Sequence, residues 1–306
     1  MAAPKSKAAL NPGDIAFISM QVYSYDRIAF VAMRDIPGGE VFYVTDKGWQ
    51  MPQNSFRSGE DIFTITVPAQ GWYTGQVITM TWQGSLSYGG DQVFAFQGSP
   101  SNPSFIAGIQ IEGNGEWKST STNSNNSALP PGLHDGFTAI SLPQYNQGRF
   151  DCSSNYGNRA WLLTRINDES KWEMSNSITA MPVSNCGFSV INSGPSVAFG
   201  PMPEISEGDG SFDIRVFSDV IGNHTAQLSL NGGNLVNGSD INFSNPTTVS
   251  FQNSQLFSVT VNLNDDADCE STESGFFYLT SANGCGTPLS PLEVQVVDNE
   301  QVQFRT

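Results

Sequence analysis

The most constraining feature of the sequence is a succession of short apolar runs, rich in β-branched and aromatic residues, separated by clusters of Gly, Pro, Asn and Ser. Runs of this kind predict β-strands, and the clusters between them predict turns. Helical periodicity is absent, apart from a turn or two within Trp161–Met174. We therefore predict an all-β fold. The predicted strands of the first half are Ile15–Met20, Arg27–Met33, Glu40–Thr45, Ile62–Val67, Val77–Trp82, Gln92–Phe96, Phe105–Ile111 and Phe137–Leu142.

The chain changes character near Asn192, and we place a domain boundary there. Its 306 residues exceed one typical core, and all six tryptophans precede this point. We predict a disordered leader over residues 1–11, an aromatic-rich β domain over 12–192 and an acidic β domain over 193–306, giving two tandem sandwich-like domains. The predicted strands of the second half are Val197–Phe199, Ser211–Phe217, Ala226–Leu230, Thr247–Phe251, Leu256–Leu263, Gly275–Thr280 and Leu292–Val297.

The charges are strongly unbalanced in the second domain. The whole chain has 29 acidic and 13 basic residues, and residues 193–306 contain 14 of the acidic residues but only Arg215 and Arg305 among the basic ones. Such a balance argues against nucleic acid as a partner, because phosphates require a basic surface. It also predicts that cations or salt stabilise the second domain.

Three acidic segments of the second domain each border a predicted strand. They are 204–210, 264–273 and 298–300. In a sandwich these segments are expected to be loops at one end, where several carboxylates either surround a hard cation or form a solvated rim. Both interpretations remain open at this point.

Motifs in these segments resemble the Calx-β domain, a β-sandwich found in sodium–calcium exchangers and many large extracellular proteins. The matching stretches, in the order of that family, are Ser206-Glu207-Gly208, Gly238-Ser239-Asp240-Ile241-Asn242-Phe243, the hairpin acids Asp265, Asp266, Glu270 and Glu273, and Val294-Gln295-Val296-Val297-Asp298-Asn299-Glu300. The resemblance implies an immunoglobulin-like sandwich that binds calcium. The ligands it implies are Glu207, Asp240, Asp265, Asp266, Glu270, Asp298 and Glu300. Asn299 and Cys269 depart from the family pattern.

The first domain resembles a poorly characterised β domain of large secreted or cell-surface bacterial proteins, sometimes found beside lamin-tail-like or Calx-β modules. The resemblance covers residues 10–190 and implies a surface location without a defined chemistry. Its phrases include Asn11-Pro12-Gly13-Asp14-Ile15-Ala16-Phe17, Thr45-Asp46-Lys47-Gly48-Trp49 and Gly90-Asp91-Gln92-Val93-Phe94. Within it, residues 113–132 are polar and predicted to form an exposed loop.

Four cysteines divide evenly between the two domains. Pairing within each domain predicts disulfides Cys152–Cys186 and Cys269–Cys285, and disulfides imply an oxidising compartment. The alternative is four buried thiols. No apolar run is long enough for a membrane span. The first residues lack the apolar core of a secretory signal, so if the protein is extracellular or at the cell surface, as the disulfides imply, its signal has been removed.

Familiar catalytic motifs are missing, and His134 and His224 are isolated from each other and from the cysteines in sequence. Adjacent acids such as Glu60-Asp61 could serve a glycosidase only at a defined separation that the sequence does not fix. We therefore predict a protein that is not an enzyme.

The leading functional hypothesis is a non-catalytic extracellular or cell-surface protein serving adhesion or structure, with calcium rigidifying the second domain. Its expected partner is a cell-surface or matrix component, or copies of itself. The alternative is a carbohydrate-binding module, or an accessory fragment of a secreted hydrolase, that stacks sugar rings on exposed Trp49, Trp72 and Trp117.

Overall fold

The computed structural model describes residues 9–22, 26–177, 179, 181–182, 186–191, 194–265, 271–281 and 290–299. The predicted all-β class is confirmed, because strands dominate throughout and the described residues contain a single α-helix, α1 (Arg159–Ile166). The chain divides into two compact units, residues 1–157 with 162–191 and residues 158–161 with 192–306.

Strands before residue 192 form two five-stranded sheets and short two-stranded ribbons. One sheet has the order β13-β11-β1-β2-β7 and the other β10-β9-β8-β3-β6. These strands are β1 (Ile15–Gln21), β2 (Arg27–Ala32), β3 (Val41–Thr45), β4 (Trp49–Gln50), β5 (Ser55–Phe56), β6 (Ile62–Thr66), β7 (Val77–Thr81), β8 (Asp91–Ser99), β9 (Asn102–Ile111), β10 (Ala139–Leu142), β11 (Gln147–Phe150), β12 (Tyr156–Asn158), β13 (Trp172–Ser175) and β14 (Ser189–Ile191).

The core of the first unit lies between these two sheets. Phe30 of β2 packs edge-on against Phe42 of β3, with ring centroids 6.1 Å apart, and both contact Trp72. Aromatic edge-to-face contacts of this kind add to the hydrophobic stabilisation of a sandwich. Packing also begins before Pro12, because Leu10 is 3% exposed and its N–H donates to Gln97 Oε1. Residues 1–8 of the predicted leader lie outside the described part of the chain.

The polar stretch 113–132 corrects our prediction of an exposed loop. Its residues hydrogen-bond the backbone around Trp49: Ser121 and Ala128 donate to the Trp49 carbonyl, and the Trp49 N–H donates to Ser127 Oγ at 2.7 Å. The loop therefore covers a second apolar cluster on the outer face of β8 and β9, and Trp49 is only 2% exposed. The polar composition of this loop does not reveal these long-range hydrogen bonds, which hold the loop over the apolar cluster.

The second unit is a sandwich of two sheets, ordered β15-β17-β21-β19 and β16-β23-β22-β18-β20. Its central strands show the alternation of buried and exposed residues typical of a sheet with one face on the core. The strands are β15 (Val197–Phe199), β16 (Ile205–Ser206), β17 (Ser211–Ser218), β18 (His224–Gly233), β19 (Ile241–Asn242), β20 (Thr247–Phe251), β21 (Leu256–Leu263), β22 (Glu273–Ser281) and β23 (Leu292–Val297).

Two short strands and a bulge distinguish this sandwich from the predicted one. The strands β16 and β19 are two residues long, below the length at which alternation can be recognised. Gly232 and Gly233 belong to one of the Gly- and Asn-rich clusters for which we predict turns, but they extend β18 into a bulge where Gly233 pairs with Gly275. Among the helices that the structure describes, none is long and apolar enough to cross a membrane.

Candidate metal centre

One end of the second unit brings together acidic residues from separate loops, because two of its strands are parallel neighbours. Strands β16 and β23 pair in register, with Ser206 opposite Val297. Glu207 and Asp298 directly follow these two residues, so both lie at the same end of two neighbouring parallel strands. The Glu207 side chain is buried, and Asp298 is half-buried.

The loop after β21 joins this end through Asp265. The side-chain amide of Asn299 donates to Asp265 Oδ1 at 3.2 Å. The same amide packs against Gly208, where a Cβ would lie 2.7 Å from Asn299 Nδ2, so a larger residue at 208 would push the amide away. Asn299, which interrupts the acidic triplet, therefore links two acidic loops.

Asp240 reaches the same end through Asn264. The Asn264 N–H donates to the Asp240 carbonyl at 2.9 Å, and the Asn264 amide donates to the Ser239 carbonyl. One Asp240 carboxylate oxygen, Oδ2, already accepts the N–H of Val236 at 2.5 Å. The structure thus brings the backbone of Asp240 to that of Asn264, next to Asp265.

Four of the seven nominated ligands are therefore placed, and they come from loops at one end of the sandwich: Glu207, Asp240, Asp265 and Asp298. The other three, Asp266, Glu270 and Glu300, lie outside the described residues. Within the described ranges, no group of three His, Cys, Asp or Glu side chains could hold a metal ion. The described acids alone do not complete a calcium site.

Two tryptophans nominated for carbohydrate binding are core residues, which corrects the prediction that their rings are exposed. Trp49 is 2% and Trp72 is 7% exposed, because the 113–132 loop covers the first and the two sheets enclose the second. Trp117 is half-buried, stacks on Phe94 and donates from its indole N–H to Asp135 Oδ1 at 2.8 Å. None of the three presents the flat, open face on which a sugar ring stacks.

The disulfide predicted for the first domain is present in the structure. Cys152 and Cys186 are bonded, with Cα atoms 5.3 Å apart, within the usual range for such bonds. Cys269 and Cys285 lie outside the described residues, and their pairing stays a prediction.

A second acidic group, in the first unit, was not recognised as a group in the sequence. Asp46, Glu60 and Asp91 meet at one end of the β3–β6–β8 portion of a sheet. Burial, and then repulsion by Asp46, raises the pKa of Glu60 to about 7, and burial raises the pKa of Asp91 to about 9. The three residues are far apart in the chain, and of the three only Glu60 is named above as a possible glycosidase acid.

Comparison with known proteins gave likeness at the level of structure alone. No protein-family model and no curated protein matches the chain. The apo-form Calx CBD1 domain matches 35% of this chain and 98% of its own, at 19% identity and a TM-score of 0.32. The Calx CBD2 domain matches 34% of this chain and 87% of its own, at 13% identity and a TM-score of 0.30.

A FixG-related protein from Vibrio parahaemolyticus matches 36% of this chain and 100% of its own, at 14% identity and a TM-score of 0.24. All three likenesses are partial and have low scores, so a functional proposal must depend on this chain's own residues. None of the three structures supports the lamin-tail-like neighbourhood expected for residues 10–190.

Proposed function

We propose that the protein is a non-catalytic, secreted or cell-surface β protein whose second domain binds calcium through the loops at one end of its sandwich. The observation that carries the proposal is the parallel pairing of β16 and β23, which sets Glu207 beside Asp298. The Asn299–Asp265 hydrogen bond adds a third acidic loop to the same end.

Charge supports a cation at this end. Residues 193–306 contain 14 acidic side chains and two arginines, so the domain cannot neutralise its carboxylates internally. Carboxylate oxygens are the ligands that calcium prefers. Glu207, Asp265 and Asp298 would hold the ion together with Asp266, Glu270 and Glu300, and Asp240 retains one carboxylate oxygen, Oδ1, beside its bond to Val236. Bound calcium would cross-link the loops and stiffen the domain.

The disulfide supports export, because such bonds persist in oxidising compartments. In the extracellular setting, a stiffened acidic domain suits a structural or adhesive role, with a surface or matrix component or a second copy of the chain as partner. The half-buried and buried tryptophans give the carbohydrate-binding alternative no comparable support.

The proposal is tested by thermal unfolding of the full chain in EDTA, in calcium and in magnesium at fixed ionic strength. Free calcium at 100 times Kd stabilises the folded state by about 2.7 kcal/mol. For a domain of this size that corresponds to a rise of roughly 10 °C in its transition.

Two variants make this test specific to the site. The double substitution Asp265→Asn and Asp298→Asn should abolish the calcium-dependent rise of the second domain. The control Glu293→Gln removes an exposed charge from the body of β23 and should leave the rise unchanged. A rise of equal size with magnesium, or one that survives in the double variant, would show that these loops are only a solvated rim.

A further inference from the structure

A set of polar side chains at one end of the first unit belongs to no function described so far. Strand β3 pairs with both β6 and β8, with Thr45 opposite Ile62 on one side and opposite Phe94 on the other. Asp46 follows β3, Glu60 precedes β6, and Gln92 begins β8 together with Asp91. The pairing of β3 with β6 and β8 therefore places these residues at the same end of the three neighbouring strands.

Three oxygens in this group are buried without a hydrogen-bond donor anywhere in the described part of the chain: Asp46 Oδ1, Glu60 Oε2 and Gln92 Oε1. Asp46 is 4% exposed and Gln92 is fully buried. Buried polar oxygens in folded proteins are almost always paired, because an unpaired one loses its hydration without compensation. All three residues lie at this end of the sheet, and their unpaired oxygens indicate that a ligand pairs with them.

The orientation of the Gln92 amide is fixed by its nitrogen. Nε2 donates to the Asp46 carbonyl, to the Ser124 carbonyl at 2.9 Å, and lies 3.2 Å from Asp91 Oδ1. Exchanging the amide oxygen and nitrogen would set the oxygen against three acceptors, so Oε1 is the free acceptor. The amide nitrogen contacts the Asp46 backbone carbonyl and the Asp91 carboxylate, so Gln92 lies next to the acidic cluster.

Asp91 is not the residue in need of a ligand. Its Oδ2 accepts the Ser87 N–H and its Oδ1 accepts the Gln92 N–H, both at 2.8 Å, so its carboxyl group ties the loop before β8 to the strand. Asp46 and Glu60 differ from Asp91, because each retains a buried oxygen with no donor in hydrogen-bond geometry, although the Gly48 N–H lies near the Glu60 carboxyl.

Two cations, Lys47 and Arg57, act on Glu60, and together they lower its pKa less than burial raises it. Lys47 lies nearby, but its Nζ donates to the backbone carbonyl of Glu60. The Trp82 indole is close enough to the Asp46 carboxyl to lower its pKa, yet neither Trp82 Nε1 nor Asp46 Oδ1 has a partner in hydrogen-bond geometry. Burial outweighs these neighbours and raises the pKa of both Asp46 and Glu60.

We propose that Asp46 Oδ1, Glu60 Oε2 and Gln92 Oε1 are protein ligands of a divalent cation, with calcium as the best match, in the first domain. Two carboxylate oxygens and one amide oxygen form the hard, all-oxygen donor set that calcium takes, with water and backbone carbonyls completing its six to eight ligands. The proposed set has two acids and one amide, and Asp91 is not part of it. This site is separate from the second-domain loops and does not depend on their function.

The test is terbium luminescence of the full chain, excited through tryptophan, with calcium as competitor. Terbium replaces calcium at oxygen sites and emits when a nearby indole transfers energy to it. All six tryptophans lie within residues 1–192, and Trp82 is beside Asp46. We expect sensitised emission that calcium displaces, and a loss of affinity of roughly tenfold or more in both Asp46→Asn and Glu60→Gln.

A matched control separates a built site from general negative charge. Asp61→Asn removes the same charge next to Glu60. Asp61 is exposed, its carbonyl accepts from Thr45 Oγ1, and its carboxylate acts on Asp46 only through its charge. This variant should bind within about twofold of the wild type. Asp265→Asn should likewise leave the tryptophan-excited emission unchanged, whether or not the second domain binds calcium.

Three outcomes would overturn the proposal: no sensitised emission, emission that persists in Asp46→Asn and Glu60→Gln, or an equal loss in Asp61→Asn. If Asp46→Asn fails to fold, the half-buried Glu60 still provides the test. Unfolding in EDTA gives a second readout. Two results together would mean that the two carboxyl groups share a proton instead of binding a cation. The first is that Asp46→Asn or Glu60→Gln is more stable than the wild type in EDTA. The second is that calcium does not raise the unfolding temperature of the first domain of the wild type.

Discussion

At the scale of the residue, His224 is the clearest titratable group whose environment opposes its charge. Its ring stacks on Phe251 with centroids 4.6 Å apart and planes 11° from parallel. Its Nε2 is buried with no hydrogen-bond partner among the described residues. Burial lowers the pKa of His224, and the nearby Asp219 carboxylate offsets this only in part.

A pH dependence follows from the direction of this shift. Because the unfolded chain, with a histidine pKa near 6.5, binds the proton more readily, protonation of His224 lowers the free energy of unfolding as pH falls below that value. The slope stays well under the ceiling of about 1.4 kcal/mol per pH unit, since the ring is partly exposed. Phe in place of His224 keeps the stacking and removes the titration.

The measurement is denaturant unfolding of the wild type and His224→Phe, followed by circular dichroism, at about pH 7.5 and about pH 5.5. The wild type should lose more stability on acidification than the variant. Burial raises the pKa of Asp219, whose protonation stabilises the fold in acid and therefore acts in the opposite direction in both proteins. Equal losses in the two proteins would mean that His224 does not control the acid response.

Single residues were also where the sequence was hardest to interpret. The turn residues around Trp49 in the chain predict an exposed side chain. In the structure Trp49 is buried beneath the 113–132 loop, whose Ser127, 78 positions away, accepts the Trp49 backbone N–H. Nothing near Trp49 in the chain indicates that partner. Asp46, Glu60 and Gln92 were missed as a group for the same reason, since only strand pairing brings them together.

At the scale of the element, the bulge between β18 and β22 offers a matched pair of glycines. Gly232 and Gly233 have nearly the same backbone angle, φ +87° and +88°, which disfavours any side chain. A Cβ on Gly232 would meet nothing closer than Phe276 at 3.7 Å, whereas one on Gly233 would overlap the Ser274 carbonyl oxygen. That oxygen already accepts the N–H groups of residues 234 and 235.

We therefore expect Gly232→Ala to lower the free energy of unfolding by about 1–2 kcal/mol, the cost of the left-handed conformation. Gly233→Ala should lower it by roughly 1–3 kcal/mol more, because the bulge must open to admit the methyl group. Urea unfolding of both variants measures the difference directly. Equal destabilisation would contradict the close approach of Gly233 to Ser274.

The elements that the sequence did specify are those whose burial alternates. Thr247–Phe251, Leu256–Leu263 and Leu292–Val297 have the predicted bounds, because one face of each strand meets the core and the other meets water. Val197–Phe199 also has the predicted bounds, although two consecutive residues, Val197 and Ala198, are both buried. Strands buried on both faces, such as β8, were recognised but placed too short. Two-residue strands have no period to detect, and they exist only through their partners.

At the scale of the whole molecule, the two units differ in how they are stabilised. Residues before the boundary combine aromatic packing, a disulfide and near balance of charge. Residues 193–306 form a sandwich with an ordinary apolar core that also carries a net charge of −12. Self-repulsion of that charge opposes the compact state, so its screening is a property of the domain as a whole.

Salt should therefore stabilise the second unit when divalent ions are absent. Raising NaCl from about 0.01 M to about 0.1 M shortens the Debye length from about 30 Å to about 10 Å, which weakens repulsion between carboxylates on opposite sides of the domain. In EDTA, the unfolding temperature of the second domain should rise across this range. Substituting Lys at the exposed Glu204 and Glu293 reduces the net charge from −12 to −8 and should shrink the rise.

The control is Glu169→Lys, an exposed substitution in the first unit, which should leave the salt response of the second domain as it is. Scanning calorimetry of the three proteins at both salt concentrations provides the comparison. A response that is the same in the Glu204→Lys and Glu293→Lys protein as in the wild type would contradict the prediction. It would mean that the repulsion screened by salt acts locally, among neighbouring carboxylates, and does not follow the net charge of the domain.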